Sequence, residues 1–135
     1  MTIYYLSIYE MIYLNTLLIR MFNQDADHRD KGVLDNQILE AVTYTPQHTL
    51  FGKEAYASVP EKAVALLEAT IKQKPFSSGN RQTGWCAALT FLQLNGYELQ
   101  VSTDEQVNWI ESIENDHFHF EEMVIWLSDR LRCTV

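Results

Sequence analysis

Two helical patterns with almost nothing between them constrain this chain most. Ser58 and Glu61 in the stretch SVPE form a capping-box signature, with Pro60 in the first helical turn, where its missing N–H is tolerated. Ala63, Val64, Leu67 and Ile71 then fall on one face of a helix that must stop just before Pro75, because the residue preceding a proline disfavours helical geometry. From about Asn80 a second pattern, NRQTGWCAALTFLQLNG, is nearly apolar all round beyond its first turn. That predicts a central, buried helix, with Asn95 and Gly96 as its stop. The stretch KPFSSGNRQTG, Lys74 to Gly84, therefore joins the end of one helix to the start of a buried one.

The rest of the chain reads as further helices around that pair. Ser7 and Glu10 make another capping box, continued by Ile8, Met11, Ile12, Leu14, Leu18, Met21 and Phe22 at helical spacing, which predicts a helix from about residue 8 to 22. NQDADHRDKG reads as a polar loop in which His28 is solvated, and VLDNQILEAVTY as a second, shorter helix. TPQHTLFGKEAYA, with Pro46 and Gly52, reads as a loop. Tyr97 to Val101 suggests a short extended piece, Ser102 and Glu105 open a fifth helix through about Ile113, and Phe120, Val124, Leu127 and Leu131 mark a sixth. Glu121 and Glu122 are favourably placed at its start. At 135 residues and 47% hydrophobic, the chain suits one domain, 1–135, with a genuine core.

Composition excludes some functions. There are 18 acidic residues against 10 basic ones, a formal net charge of −8, and no basic run, so no face is suited to neutralising nucleic-acid phosphates. The apolar opening MTIYYLSIYEMIYLNTLLIRMF lacks a basic leader and a small-residue cleavage site, and Glu10 and Asn15 interrupt any spanning run, which points to a cytoplasmic chain without a membrane partner. Cys86 and Cys133 have no CxxC spacing, and Cys86 is expected as a free buried thiol.

The loop itself has the ingredients of an anion site. The N–H groups that begin a helix have no intrahelical acceptor, and with the helix dipole they favour negative charge. Gly79 permits close backbone approach or a positive φ, Ser77, Ser78 and Asn80 offer side-chain donors, and Arg81 offers charge for a phosphate. On these grounds alone a plainer role stays open, in which Ser78 merely caps the fourth helix.

Read as a pattern, KPFSSGNRQT resembles the signature loop of the Fic/Doc (Fido) family, usually HPFxDGNKRT. The likeness extends through RDKGVLDNQILEAV, FGKEAYASVPEKAVALLEATIKQ and ALTFLQLNGYEL, so it covers nearly the whole chain, and its size and order point to the short single-domain Doc branch. The resemblance implies an all-α Fido-fold bundle of about six helices, with the active-site-like loop at the N-terminus of a central buried helix. It also implies transfer of AMP or, in the Doc branch, of the γ-phosphate of ATP to a hydroxyl of a protein target. That target is a component of the translation machinery, elongation factor Tu, and a Phd-type antitoxin is the neutralising partner. ATP with Mg²⁺ is the implied cofactor. In the family motif the histidine is the general base, the acidic residue holds Mg²⁺, and the glycine, asparagine and following basic residues cradle phosphates. Pro75, Phe76, Gly79, Asn80 and Thr83 match, and Arg81 keeps the charge of the usual lysine. On this reading Lys74, Ser78 and Asn80 stand at the catalytic positions, and Ser77, Ser78, Gly79, Asn80, Arg81 and Gln82 at the phosphate- or nucleotide-binding ones.

The departures fall where the chemistry is. Lys74 replaces the histidine, and an amine with the ordinary lysine pKa of ~10.4 is protonated at neutral pH and a poor general base unless burial depresses it. Ser78 replaces a charged oxygen ligand with a neutral hydroxyl, so no metal-binding residue is assigned. Gln82 replaces an arginine and forgoes a bidentate phosphate contact. Loss of a general base alone lowers a rate by ~10²–10⁴-fold, so the expectation is a Doc-like toxin whose transfer activity is weak or lost. The alternative is a catalytically inactive module that binds a nucleotide, a phosphate or a protein. Two escapes remain: Lys74 as a phosphate-neutralising cation, or His48 as a substitute base.

Two other groups of residues attract attention. HFHFEE, His117 to Glu122, offers metal-type ligands, but histidines two apart diverge on a helix, so a connection with His119 near an N-cap and both phenylalanines packed inward is favoured. Tyr4, Tyr5, Tyr9 and Tyr13 are read as core and rim aromatics.

Overall fold

The computed structural model describes residues 2–22 and 32–134; the loop around His28 and the Phe22 side chain lie outside the described residues. Among the described residues there are six α-helices: α1 (Ile8–Phe22), α2 (Asn36–Tyr44), α3 (Val59–Gln73), α4 (Asn80–Leu94), α5 (Thr103–Glu114) and α6 (Phe120–Ser128). The architecture is the mostly helical bundle expected. Helix starts follow the caps in the sequence. Ser7 and Glu10 exchange backbone-to-side-chain bonds of 3.0 and 3.2 Å at α1, and Ser102 and Glu105 do the same at α5. At α3 only half of the expected box forms: the Glu61 N–H donates to Ser58 Oγ, while the Ser58 hydroxyl donates to Glu61 Oε1.

Two expectations about the core are corrected. The most enclosed helix is α3, where nearly every residue from Lys62 to Ile71 is buried, so its apolar positions are not confined to one face. The α4 helix is one-sided: Thr83, Gly84, Trp85, Ala87, Ala88, Phe91 and Leu92 are buried, whereas Arg81, Gln82, Gln93 and Leu94 are exposed. The two helices pack closely because Gly84 has no side chain; a Cβ there would lie 3.1 Å from Thr70 Cβ. The buried Lys62 is satisfied by the Pro46 carbonyl oxygen at 3.1 Å and Glu54 Oε1 at 3.2 Å.

Short extended pieces complete the bundle. The stretch read as a loop after α2 holds a 3₁₀ turn (Thr45–Gln47) and a hairpin of β1 (Thr49–Leu50) and β2 (Lys53–Glu54). Tyr97–Leu99 is extended as expected and forms β3, but its partner is β4 (Leu131–Cys133), so Leu131 belongs to a strand and α6 stops at Ser128. Arg130 stands between α6 and β4. Its guanidinium lies 4.0 Å from the Trp126 ring and donates to the Trp126 carbonyl oxygen and to Glu105. Trp126 stacks on Trp109 at 4.2 Å, and Trp109 meets Trp85 edge-on, tying α6, α5 and α4 together.

Candidate functional site

The loop between α3 and α4 is built by three sets of contacts. Lys74 ends α3 in the left-handed region, φ 49°, its N–H donating to the Thr70 carbonyl oxygen. A short antiparallel bridge between Val33 and Phe76 follows. Within it the Leu34 N–H donates to Pro75 O at 2.8 Å and the Ser77 N–H to Gly32 O at 3.0 Å. Asn80 then clasps the loop from within: its Oδ1 accepts from the Phe76 N–H at 3.0 Å and its Nδ2 donates to the Phe76 carbonyl oxygen at 2.9 Å. Asn15, buried on α1, braces the far side, donating to the Ser78 carbonyl oxygen at 2.9 Å and to Thr83 Oγ1 at 3.1 Å.

Gly79, not Ser78, is the N-cap of α4. Its φ of 75° favours glycine. The leading N–H groups of α4 have no acceptor within the helix, the arrangement that favours an anion.

The structure thus brings Lys74, Ser77, Ser78, Gly79, Asn80, Arg81 and Gln82 together around one turn, with unequal roles. Asn80 faces inward and serves the loop itself. Lys74, Ser77 and Gln82 are exposed, and Ser78 is half-buried. Arg81 is engaged: its Nε donates to Glu114 Oε2 at the end of α5, a contact that nothing in the loop sequence announces. His48 is exposed at the foot of the hairpin, where its ring lies 5.6 Å from Tyr44. The loop 74–84 contains no carboxylate, and the acidic position carries a neutral hydroxyl, so this donor set does not fit a Mg²⁺ ion and no chemistry is routed through one here.

Sequence reasoning missed a neighbouring apolar groove of about 590 Å³ between α1, α4 and α5. Leu14, Leu17, Met21, Trp85, Val107 and Ile110 supply its walls, and Arg81 and Gln82 stand at its edge. Cys86 also lines it, as a free, half-buried thiol whose pKa is pushed up by burial. Tyr9 and Tyr13 continue the exposed row Leu17 and Met21 along α1, so they are surface residues and not core. His119 is the N-cap of α6, and among the described residues no cluster of His, Cys, Asp or Glu could hold a metal ion. Nor is any described helix long and apolar enough to cross a membrane.

Comparison with known proteins agrees with the geometry. The profile of the Fic/DOC family matches residues 5–92, from the start of the chain through the loop and most of α4. Toxin Doc of Mycolicibacterium smegmatis is 37% identical over 95 residues, 70% of this chain and 68% of that protein. With the motif loop, its frame and this likeness in agreement, the chain belongs to the Fic/DOC family.

Proposed function

We propose that this chain is a Doc-like toxin whose loop still receives the phosphates of a nucleotide such as ATP, while the family's phosphoryl or nucleotidyl transfer to a protein hydroxyl is weak or lost. One observation carries the reading: the frame of the loop, Gly79 at positive φ and Asn80 clasping Phe76, is fully built, yet Lys74, Ser78 and Gln82 stand where the family has a base, a metal-binding carboxylate and an arginine. Bound ATP would supply the group to be transferred. The chain's own contribution is the start of α4, the hydroxyls of Ser77 and Ser78, the Gln82 amide and the charges of Lys74 and Arg81. Elongation factor Tu is the protein target that the resemblance suggests.

The apolar groove supports a second reading, a binding module without transfer. Its apolar walls suit an apolar helical segment, and its occupant would reach Arg81 and Gln82. An antitoxin of Phd type seated there would neutralise the loop by covering its edge, and the same seat would serve a chain that retains only binding.

The test is to titrate the purified chain with ATP and to incubate it with α- and γ-labelled ATP in bacterial lysate. Binding with little or no label in protein is the expected result. Vigorous transfer would sink the predicted loss of activity, and the phosphate that moves would name the reaction. Absence of binding would leave the module reading through the groove.

A further inference from the structure

The outer side of α1 is unlike that of α5. Among the described residues of α1, the exposed ones are Tyr9, Glu10, Tyr13, Leu17, Arg20 and Met21, and steps of three and four set them on one face. Four of these six are large apolar or aromatic side chains, with Tyr9 83%, Tyr13 63% and Met21 62% exposed. On α5, Thr103, Asp104, Glu105, Asn108 and Glu111 face water, and Val107 is the lone apolar residue among them. A solvated helix face is normally polar, so the outer face of α1 calls for a cover. The opposite side of the helix is already committed inward, through Met11, Asn15 and Ile19.

The two charges on this face indicate what the cover is. Glu10 lies in the first turn and Arg20 in the last. Glu10 accepts the Ser7 N–H at Oε1 and keeps its charge, and among the described residues no carboxylate pairs with Arg20. If a second copy of α1 is laid antiparallel across the face, with the two-fold axis level with Asn15, Tyr13 lies level with Leu17 of that copy, Tyr9 with its Met21 and Glu10 with its Arg20. Symmetry makes each pairing twice. A parallel copy would instead set like charges against each other. Leu17 and Met21 also wall the apolar groove, so the tyrosine rings of the second copy come down at its α1 edge.

We propose that the outer face of α1 is a self-association surface, on which two copies of this chain pair as an antiparallel two-fold dimer. Tyr9, Tyr13, Leu17 and Met21 supply the apolar contact, and Glu10 with Arg20 of the second copy fixes the direction. The row is about 18 Å long at the α-helical rise. One helix face is a small contact beside the ~800 Å² per partner of a standard interface, so the dimer is weak and reversible. It holds whether or not the loop after α3 receives a phosphate.

The test is sedimentation of the full chain from about 5 to 500 μM, a range that brackets a weak interface. Beside it run Tyr13→Lys, Arg20→Glu, Glu10→Arg and, as a control, Phe51→Lys, which removes the 95% exposed ring at the tip of the hairpin. Circular dichroism checks the fold of each, since Glu10→Arg gives up the capping box of α1. The native chain is expected to pass from monomer to dimer as its concentration rises. Tyr13→Lys should weaken the dimer by about tenfold or more. Arg20→Glu and Glu10→Arg, each turning two attractive pairs into repulsive ones, should weaken it by about fivefold or more. Phe51→Lys should change nothing. Mixed in equal amounts, Arg20→Glu and Glu10→Arg should associate again, because each then meets the opposite charge across the axis.

A native chain that stays monomeric throughout would overturn the proposal, and a monomer whose row binds an apolar helical peptide would give the face to a different occupant. A dimer that Tyr13→Lys leaves intact, or that Phe51→Lys weakens equally, would overturn it too. A mixture of the two folded charge variants that associates no better than either alone would overturn the antiparallel pairing. Should Glu10→Arg melt α1, Arg20→Glu and Tyr13→Lys decide, and unchanged association in either overturns the proposal.

Discussion

The inner and outer sides of one loop differ in kind. On the inner side, Pro75, Phe76 and Thr83 are buried, Asn80 spends its amide on Phe76, and Gly79 takes a backbone conformation that favours glycine. On the outer side, Lys74, Ser77, Arg81 and Gln82 are exposed. All five inner residues match the family's pattern, and the departures Lys74 and Gln82 lie outside, with Ser78 between. The difference teaches that the shape of this loop and its chemistry are held by separate side chains. The residues that fold it cannot change cheaply, because they hold backbone groups that would otherwise be buried without partners. Those that would react can change with little effect on the fold.

The largest expected effect comes from breaking the inner side. Asn80→Ala removes both bonds to Phe76 and should lower stability by about 1–3 kcal/mol in urea unfolding, because a partly buried donor and acceptor lose their partners. A loss under about half a kcal/mol would mean the clasp does not hold the loop. Next comes Gly84→Ala at the α3–α4 contact. Its Cβ would meet Thr70 Cβ at 3.1 Å, so overpacking of about 1–3 kcal/mol should outweigh the gain of about 1 kcal/mol in helix propensity. A higher melting temperature in this variant would show that the helices part easily. Smallest, and opposite in sign, is Lys74→Gly, which relieves a left-handed non-glycine residue at the helix end and should raise stability by up to about 1 kcal/mol. Destabilisation there would mean that the Lys74 side chain supports the fold after all.

Helix starts were legible because their signals are local. Ser7, Ser58 and Ser102 each stand three residues before a glutamate, and each begins a helix. What escaped depends on distance or brevity. The hairpin at Thr49–Glu54 has two residues per strand, too few to show an alternation, and all of them are exposed. Leu131 continued the spacing of α6, yet pairing with Leu99 across the bundle overrides it. Of the candidate site, the loop and its anion-binding start were legible in Gly79 and the residues around it. Its support was not, because Asn15 and Glu114 reach it from far along the chain, and Asn80, read as a phosphate donor, turned out to brace the turn.

The most direct test of the separation between shape and chemistry is label transfer by the combined variant Lys74→His, Ser78→Asp and Gln82→Arg beside the native chain, with α- and γ-labelled ATP and bacterial lysate. If the frame is intact and only the outer side has lost its chemistry, the variant should fold as stably as the native chain to within about 1 kcal/mol and label protein where the native chain does not. Transfer by the native chain equal to that of the variant, or a well-folded variant that binds ATP and transfers nothing, would contradict it.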